Sequence, residues 1–179
     1  AIGVVPSPTG AAIRDIVQIL GRRTPGLPVI LVPARVQGSA APRDICRGID
    51  QLNRWGGVDI IIVGRGGGSP EDLWPFNDES VARAIYQSQV PVVAAIGHEI
   101  DHCIADYVAD VRAPTPSAAA ELVAQEYGVL RQRLGELRER LLRGVGQRLD
   151  RLQRELDNCD PGRMATRLRD RVDQQSQHL

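Results

Sequence analysis

The fold is decided by residues 58–69, which read VDIIIVGRGGGS. The first half of this stretch, Val58–Val63, is a nearly unbroken run of β-branched side chains, and the second half, Gly64–Ser69, is rich in glycine. A continuous apolar run, rather than an alternating one, is typical of a strand buried on both faces of a parallel sheet. The stretch therefore predicts a buried strand that ends in a polar, glycine-rich loop.

The same pattern recurs along the first 112 residues of the chain. Further apolar runs of strand length occupy Ile2–Val5, Pro28–Val32 and Val90–Ile96. Between the runs, apolar residues recur at helical spacing in the segments Ala11–Gly21, Pro42–Trp55 and Glu79–Ser88. This alternation of strand and helix predicts an α/β fold with an open, mostly parallel, doubly wound sheet.

The sequence of the remaining residues predicts a long extended helix with an apolar pattern like that of a coiled coil. Thr115 can cap its start, and Pro116 suits its first position. Leucine or valine then recurs at residues 130, 134, 137, 141, 145, 149, 152 and 156. Such a repeated apolar stripe is typical of helices that pair with a partner. The sequence Asp160-Pro161-Gly162 indicates a stop, and Met164–Val172 a returning helix.

Composition excludes several classes of function. The 22 basic residues, all of them arginine, balance 22 acidic residues, so the chain is not a generic polyanion binder. The absence of lysine excludes Walker-type phosphate loops and Schiff-base chemistry. The three cysteines are far apart and odd in number, which indicates a reducing compartment such as the cytoplasm rather than a disulfide scaffold. No apolar run approaches the ~18 residues of a membrane span, so we expect no membrane partner.

Polar or small residues follow three of the four predicted strands. Ligands of a doubly wound sheet bind in the crevice at the carboxyl ends of its strands. The candidate site residues at these ends are Ser7, Thr9, Asp15, Arg65, Gly66, Gly67, Ser69, Asn77, His98 and Asp101. Because the carboxyl ends of parallel strands share one edge of a sheet, we expect these groups to converge on one rim.

The glycine loop has the chemistry of an oxyanion site. Amides of consecutive glycines can approach an oxyanion closely because no side chain intervenes. Arg65 adds a permanent charge and a planar fork of donors suited to phosphate. A flexible turn is the alternative interpretation. The loop does not match the dinucleotide-binding fingerprint, because its sixth residue is Ser69 rather than glycine.

The other two strand ends supply ionisable groups. A histidine at a strand end, His98, is a natural general acid or base, and Asp101 three residues later can orient its imidazole. Asp15 can position a water molecule or a hard cation. The alternatives are a hydrogen-bonded His98, a helix-capping Asp101 and a solvated Asp15, and each outweighs a functional role when the residue is taken alone. Convergence of the three strand ends favours function.

Residues 98–102, His-Glu-Ile-Asp-His, match the zinc-protease pattern HExxH. That motif works only on a regular helix, whereas His98 comes one glycine after an apolar strand. We therefore predict no zinc site. Two carboxylates and one histidine could hold a cation such as Mg²⁺ weakly.

The three blocks together resemble the large subunit of bacterial exonuclease VII. The matching stretches are residues 7–12 with Asp15, residues 64–77, and residues 97–101 with their continuation to Glu121. The order and spacing of these stretches both agree with that family. The leucine-rich helix agrees only in its general composition. His102 departs from the family pattern, and we assign it no role.

The resemblance implies a single-strand-specific exodeoxyribonuclease that releases short 5′-phosphorylated products. It also implies that no cofactor is required, with Mg²⁺ as the open alternative. The catalytic residues that it implies are Asp15, Arg65, His98 and Asp101. It also implies a catalytic domain at 1–114, and an assembly segment at 115–179 where small subunits attach and oligomers form. The family's N-terminal OB-fold domain has no counterpart in these residues, so we expect the chain to be part of a longer protein.

Two observations on function stay open in the sequence. Trp74 and Phe76, beside the glycine loop, can either stack on DNA bases or pack inside the protein, and packing is the favoured interpretation for Trp74. A non-catalytic nucleotide- or phosphoanion-binding module with an oligomerisation helix shares the fold and the glycine loop, but it has no use for His98 with Asp101.

Overall fold

The structure, a computed structural model, describes residues 1–7, 11–66, 70–97, 102–158 and 161–176. Two compact units are distinguished by their internal packing, Ala1–Val129 and Leu130–Leu179. The boundary between them falls inside a single long helix.

The first unit is built on a five-stranded parallel sheet. Its strands are β1 (Ile2–Val5), β2 (Val29–Leu31), β3 (Ile60–Gly64), β4 (Val92–Ala95) and β5 (Val111–Arg112). They are ordered β2-β1-β3-β4-β5, and every neighbouring pair is parallel. The predicted α/β fold with an open parallel sheet is confirmed.

Helices connect the strands and cover both faces of the sheet. The helices of this unit are α1 (Ala11–Arg23), α2 (Ala41–Trp55), a 3₁₀ helix (Pro70–Asn77), α3 (Glu79–Tyr86), α4 (Ile104–Val108) and the start of α5 (Pro116–Asn158). Each predicted strand and helix is present, with ends shifted by a few residues. The 3₁₀ helix, α4 and β5 were not predicted.

Alternate residues of the strands enter two different cores. Val5 and Val63 belong to the core beneath α2 and α3, whereas Val4 and Ile62 belong to the core beneath α1 and the start of α5. Because the sheet is covered on both sides, consecutive residues of β1, β3 and β4 are buried, which explains their unbroken apolar runs. The run at Pro28–Val32 forms β2 at the edge of the sheet, which is only partly buried because it has a neighbouring strand on one side alone.

The first turns of α5 are part of this second core, where Ala119, Ala120, Val123 and Ala124 are buried. The backbone amide of Ala118 donates a hydrogen bond of 3.0 Å to Oγ1 of Thr115. The predicted cap at Thr115 is therefore confirmed.

The second unit contains the rest of α5 and a further helix, α6 (Pro161–Ser176). Within the part of this unit that the structure describes, every leucine, valine and methionine side chain is exposed. The predicted stripe is therefore present but unburied. The predicted stop at Asp160 lies outside the described residues.

Among the described residues, no helix is both long and apolar enough to cross a membrane.

Candidate active site at the carboxyl edge of the sheet

The strand order places a crevice between β1 and β3. From β1 the chain passes to β2 on one side, and β3, β4 and β5 follow on the other side. Such a reversal of strand order is where ligands bind in open α/β sheets, at the carboxyl ends of the strands. The segments that leave these two carboxyl ends begin at Pro6 and Arg65. They carry the candidate residues Ser7 and Arg65.

The two segments approach each other closely. A methyl group added at Gly66 would lie 3.6 Å from Cβ of Ala12 and 3.9 Å from its backbone nitrogen. The loop after β3 therefore packs on the first turn of α1, the helix that carries Asp15. The structure thus brings Arg65, Gly66 and the start of α1 together, as the sequence predicted.

Gly64 sets the position of Arg65. A Cβ atom at residue 64 would collide with the carbonyl oxygen of Ala95 on β4 and lie 3.0 Å from its Cβ. With glycine there, β3 and β4 stay close, and the amide of Arg65 donates a 3.2 Å hydrogen bond to the same Ala95 oxygen. The sheet pairing therefore continues into the first residue of the loop.

The Arg65 side chain is only 4% exposed. Its Nε donates a 2.8 Å hydrogen bond to the carbonyl oxygen of Gly66, and its Nη2 lies 3.4 Å from Oδ2 of Asp72 on the 3₁₀ helix. Nη1 is buried, and within the described residues it has no hydrogen-bond partner. A buried, unpaired donor on a charged group is costly. An anion at Nη1 would remove that cost.

Asp15 and Ser7 lie near the amino end of α1. Asp15 is exposed, whereas its neighbour Ile16 is buried in the core, so α1 turns the carboxylate away from its packed face. Within the described residues, the Asp15 carboxylate forms no hydrogen bond or ion pair and is available to a ligand. Ser7 is half-buried.

Thr9, Gly67, Ser69, His98 and Asp101 lie outside the described residues. The convergence of Asp15, Arg65, His98 and Asp101 on one gap therefore stays a prediction.

Asn77 ties the 3₁₀ helix to the segment that follows residue 101. Its Oδ1 accepts a 2.8 Å hydrogen bond from the backbone amide of Ile104, the first residue of α4. This contact fixes where the chain re-enters regular structure after His98 and Asp101. The sequence predicts Asn77 as a substrate-binding residue. Its side-chain oxygen, Oδ1, accepts this hydrogen bond within the protein.

A buried carboxylate, Asp106, organises the start of α4. Its Oδ2 accepts hydrogen bonds from the backbone amide and the thiol of Cys103, each at 3.1 Å, and lies 3.7 Å from Nε of Arg112 on β5. The other oxygen, Oδ1, accepts no hydrogen bond from any described residue. The spacing of Cys103 and Asp106 matches a capping box and is the signal by which this carboxylate can be found in the sequence.

Burial, together with the hydrogen bond to the charged Asp106 carboxylate, raises the pKa of the Cys103 thiol to about 12. A thiol with such a pKa stays protonated at neutral pH and is a poor nucleophile. Cys103 is therefore a structural residue.

The two aromatic residues beside the glycine loop have opposite environments. Phe76 is fully buried in the core, so a role in stacking on bases is wrong for this residue. Trp74 is 75% exposed, so packing, the interpretation that the sequence favoured for it, is wrong.

Within the described ranges, no group of three or more histidine, cysteine, aspartate or glutamate side chains could hold a metal ion. His98, Glu99 and Asp101 belong to the segment outside those ranges. A weak Mg²⁺ site that includes these residues therefore stays a prediction of the sequence. His102 stacks on the ring of Tyr107 with centroids 5.5 Å apart.

Fold and site together define an α/β protein whose candidate active site lies at the carboxyl edge of a parallel sheet. The chain belongs to the exonuclease VII large-subunit family, because the family model described as "Exonuclease VII, large subunit" matches residues 1–179. This agrees with the resemblance seen in the sequence motifs.

Curated relatives are named exodeoxyribonuclease 7 large subunit. The chain is 51% identical to that of Geobacter sulfurreducens over 99% of its own length and 41% of the relative's. It is 57% identical to that of Geobacillus kaustophilus, over 83% of the chain and 33% of the relative. For the protein of Serratia proteamaculans the identity is 48%, over 99% of the chain and 37% of the relative. The chain thus spans 33–41% of the length of these relatives.

Proposed function

We propose that this chain carries the catalytic part of an exodeoxyribonuclease that hydrolyses single-stranded DNA to short 5′-phosphorylated products. The observation that carries the proposal is the guanidinium of Arg65, held at the carboxyl end of β3 with Nη1 buried and unpaired among the described residues. Membership of the exonuclease VII large-subunit family supports the choice of substrate.

Hydrolysis that leaves a 5′-phosphate breaks the bond between phosphorus and O3′. Water attacks phosphorus and loses a proton, the departing O3′ gains one, and charge on the phosphoryl oxygens must be neutralised. Arg65 with the amides of Gly66 and Gly67 neutralises charge. His98, oriented by Asp101, transfers protons.

The remaining candidates position the reactants. Asp15 holds the attacking water or a weakly bound cation, and its exposed carboxylate is free of protein partners among the described residues. Substrate contacts fall to Ser7, Thr9, Gly66, Gly67, Ser69 and Asn77. No cofactor is required in this proposal, and activity in excess chelator, compared with activity after added Mg²⁺, tests that point.

The two parts of the chain have different tasks in this proposal. Residues 1–114 form the catalytic domain, and residues 115–179 bind the small subunits and support oligomer formation. The exposed apolar residues of α5 support the second assignment, because exposed apolar stripes mark interaction surfaces. The free cysteines Cys46 and Cys103 support a location in the bacterial cytoplasm.

The test is nuclease activity of single variants in the protein assembled with its small subunits. We expect Arg65→Ala, His98→Ala and Asp101→Ala each to lower the rate of release of short products from single-stranded DNA by at least about a hundredfold. Arg83→Ala is the matched control, since Arg83 is an exposed arginine of α3 whose ion-pair partner within the described part of the chain is Glu79 on the same helix. Near-normal rates in the three site variants would refute the assignment. Tight mononucleotide binding without hydrolysis would favour the non-catalytic binding module.

A further inference from the structure

Trp74 is an exposed aromatic side chain on a firmly anchored segment. The 3₁₀ helix that carries it is bound through Asp72 to Arg65, through Phe76 to the core, and through Asn77 to Ile104. Trp74 itself is 75% exposed. A large aromatic ring held in solvent by a rigid support is the arrangement found in stacking platforms for nucleic-acid bases.

The ring borders a concave surface of about 500 Å³. Trp74 and Pro75 form one side of it, and Gly38, Ser39 and Pro42 form the other. The carboxylate of Asp78 also lines this surface, but it accepts hydrogen bonds from the amide and hydroxyl of Ser80, at 2.8 and 2.6 Å. The surface therefore offers flat apolar faces with a few polar groups at the edge, which suits a nucleobase.

An arginine cluster, defined as Arg35, Arg43 and Arg47, lines a second concave surface of about 560 Å³. Asp44 lies beneath it with 10% of its side chain exposed, 2.6 Å from Arg35 and 3.7 Å from Arg47. The guanidinium of Arg35 lowers the pKa of Asp44, so this anchor is charged.

The arginine cluster carries more positive charge than the acidic residues beside it neutralise. The other acidic residue on this surface, Asp50, pairs with Arg54 at 2.6 Å. Arg43 is exposed, and no ion pair of its guanidinium is found in the described ranges. Phosphate groups are the natural ligands of such exposed guanidinium groups.

Both surfaces lie at the edge of the sheet that holds the candidate site. Pro42 lines one surface and its neighbour Arg43 lines the other, so they flank the first turn of α2. That turn follows the carboxyl end of β2, and the 3₁₀ helix follows the carboxyl end of β3. Trp74 lies two residues after Asp72, whose Oδ2 is 3.4 Å from Nη2 of Arg65, so a strand stacked on Trp74 would be near the candidate site.

We propose that Trp74 and the arginine cluster form a docking surface for single-stranded DNA, outside the catalytic residues. A base stacks on Trp74, while phosphates of adjacent nucleotides contact Arg43 and Arg47. The choice of DNA as the ligand rests on the proposed function. A single strand fits and a duplex does not, because bases are free to stack on a side chain only when they are unpaired.

The two tryptophans of the chain allow a direct binding test. Trp55 is the matched control. It is 57% exposed and is the last residue of α2, whereas the two concave surfaces flank the first turn of that helix. In the Trp55→Phe variant only Trp74 fluoresces, and we expect oligothymidylate at low salt to quench it. In Trp74→Phe only Trp55 fluoresces, and we expect no quenching. Equal quenching in both variants, or none in Trp55→Phe, would overturn the proposal.

Affinity for the same oligonucleotide separates the two contacts. We expect Trp74→Ala to weaken binding about tenfold, within the range measured for loss of one stacked base, and Trp55→Ala to leave it unchanged. The double variant Arg43→Ala with Arg47→Ala should weaken binding and reduce its salt dependence by about two phosphate contacts. Arg83→Ala should have neither effect. Wild-type affinity in Trp74→Ala, or an unchanged salt dependence in the double arginine variant, would contradict the proposal.

Failure of this proposal and failure of the proposed function are distinguishable. His98→Ala should keep the quenching of Trp74 while losing hydrolysis. Hydrolysis without any effect of Trp74 or the arginine cluster on binding would overturn the docking surface alone. Quenching at Trp74 with full hydrolysis in His98→Ala would overturn the catalytic assignment alone.

Discussion

At the scale of single residues, the thiol of Cys103 has a strongly raised pKa. Burial of the thiol and its contact with the Asp106 carboxylate together raise the pKa from 9.0 to about 12. Because the pKa is higher in the folded than in the unfolded chain, the protonated thiol favours folding below pH 9. That contribution is lost as the pH rises from 9 towards 12.

The reactivity of Cys103 follows from the same contacts. At pH 8 we expect iodoacetamide to modify Cys103 at least about tenfold more slowly than Cys46, whose thiol is half-buried and points towards Ser80. Peptide-resolved mass spectrometry after timed alkylation measures both rates in one sample. Equal rates would show that the contact with Asp106 is not maintained in solution.

Arg65 illustrates what a residue's sequence context can reveal. Its place directly after a strand follows from the apolar run before it, and the structure has it there. Its burial did not follow, because that depends on Asp72, which only the 3₁₀ helix brings to within 3.4 Å of Nη2. Trp74 and Phe76 show the same limit, since one turn of that helix exposes the first and buries the second.

At the scale of elements, the pairing of β3 with β4 depends on Gly64. We expect Gly64→Ala to destabilise the protein by about 1–3 kcal/mol, because the new methyl group meets the backbone of Ala95 rather than a movable side chain. The free energy of unfolding in urea measures this effect.

Gly21→Ala is the matched control for that substitution. Gly21 lies in α1 with nothing within 4 Å of an added Cβ, so alanine should stabilise the helix by up to about 1 kcal/mol. A neutral Gly64→Ala variant would mean that the two strands do not pack as the structure shows.

The elements that the sequence predicted are those with a long enough periodic pattern. The four predicted strands lie in continuous apolar runs, although β2, at the edge of the sheet, is only partly buried. The helices α1, α2, α3 and α5 repeat their apolar spacing over several residues. By contrast, β5 has two residues and α4 has five, which is too short for periodicity to identify. These short elements are held by tertiary contacts, such as the 2.8 Å bond from the Ile104 amide to Asn77.

At the scale of the whole molecule, the two units differ in how they bury apolar surface. The first unit has two cores, one on each face of its sheet. The second unit leaves leucines such as Leu137 and Leu141 exposed along α5, by 49% and 67%. Helices of this kind gain stability mainly by packing on partners.

Substitution on this stripe should separate assembly from folding. We expect Leu137→Arg combined with Leu141→Arg to weaken small-subunit binding more than about tenfold, because both residues lie on one face of α5, four residues apart. The melting temperature of the α/β unit should stay within about 2 °C of the original value, since neither side chain enters its cores.

Gln147→Arg is the control for that pair, because it adds charge at a polar position of the same helix. Isothermal titration with the small subunit measures the affinities. Undiminished binding by the double variant would exclude this face of α5 as the assembly surface.

The central claim is that Asp15, Arg65, His98 and Asp101 surround one phosphate-sized gap at the carboxyl edge of the sheet. The most direct measurement is a crystal structure of the assembled protein carrying His98→Ala, in complex with a short oligothymidylate that it cannot cleave. The account predicts a phosphate oxygen about 3 Å from Nη1 of Arg65, with Asp15 and Asp101 on the same rim. A strand bound at another edge of the sheet, or an Arg65 still closed off from the phosphates, would contradict it.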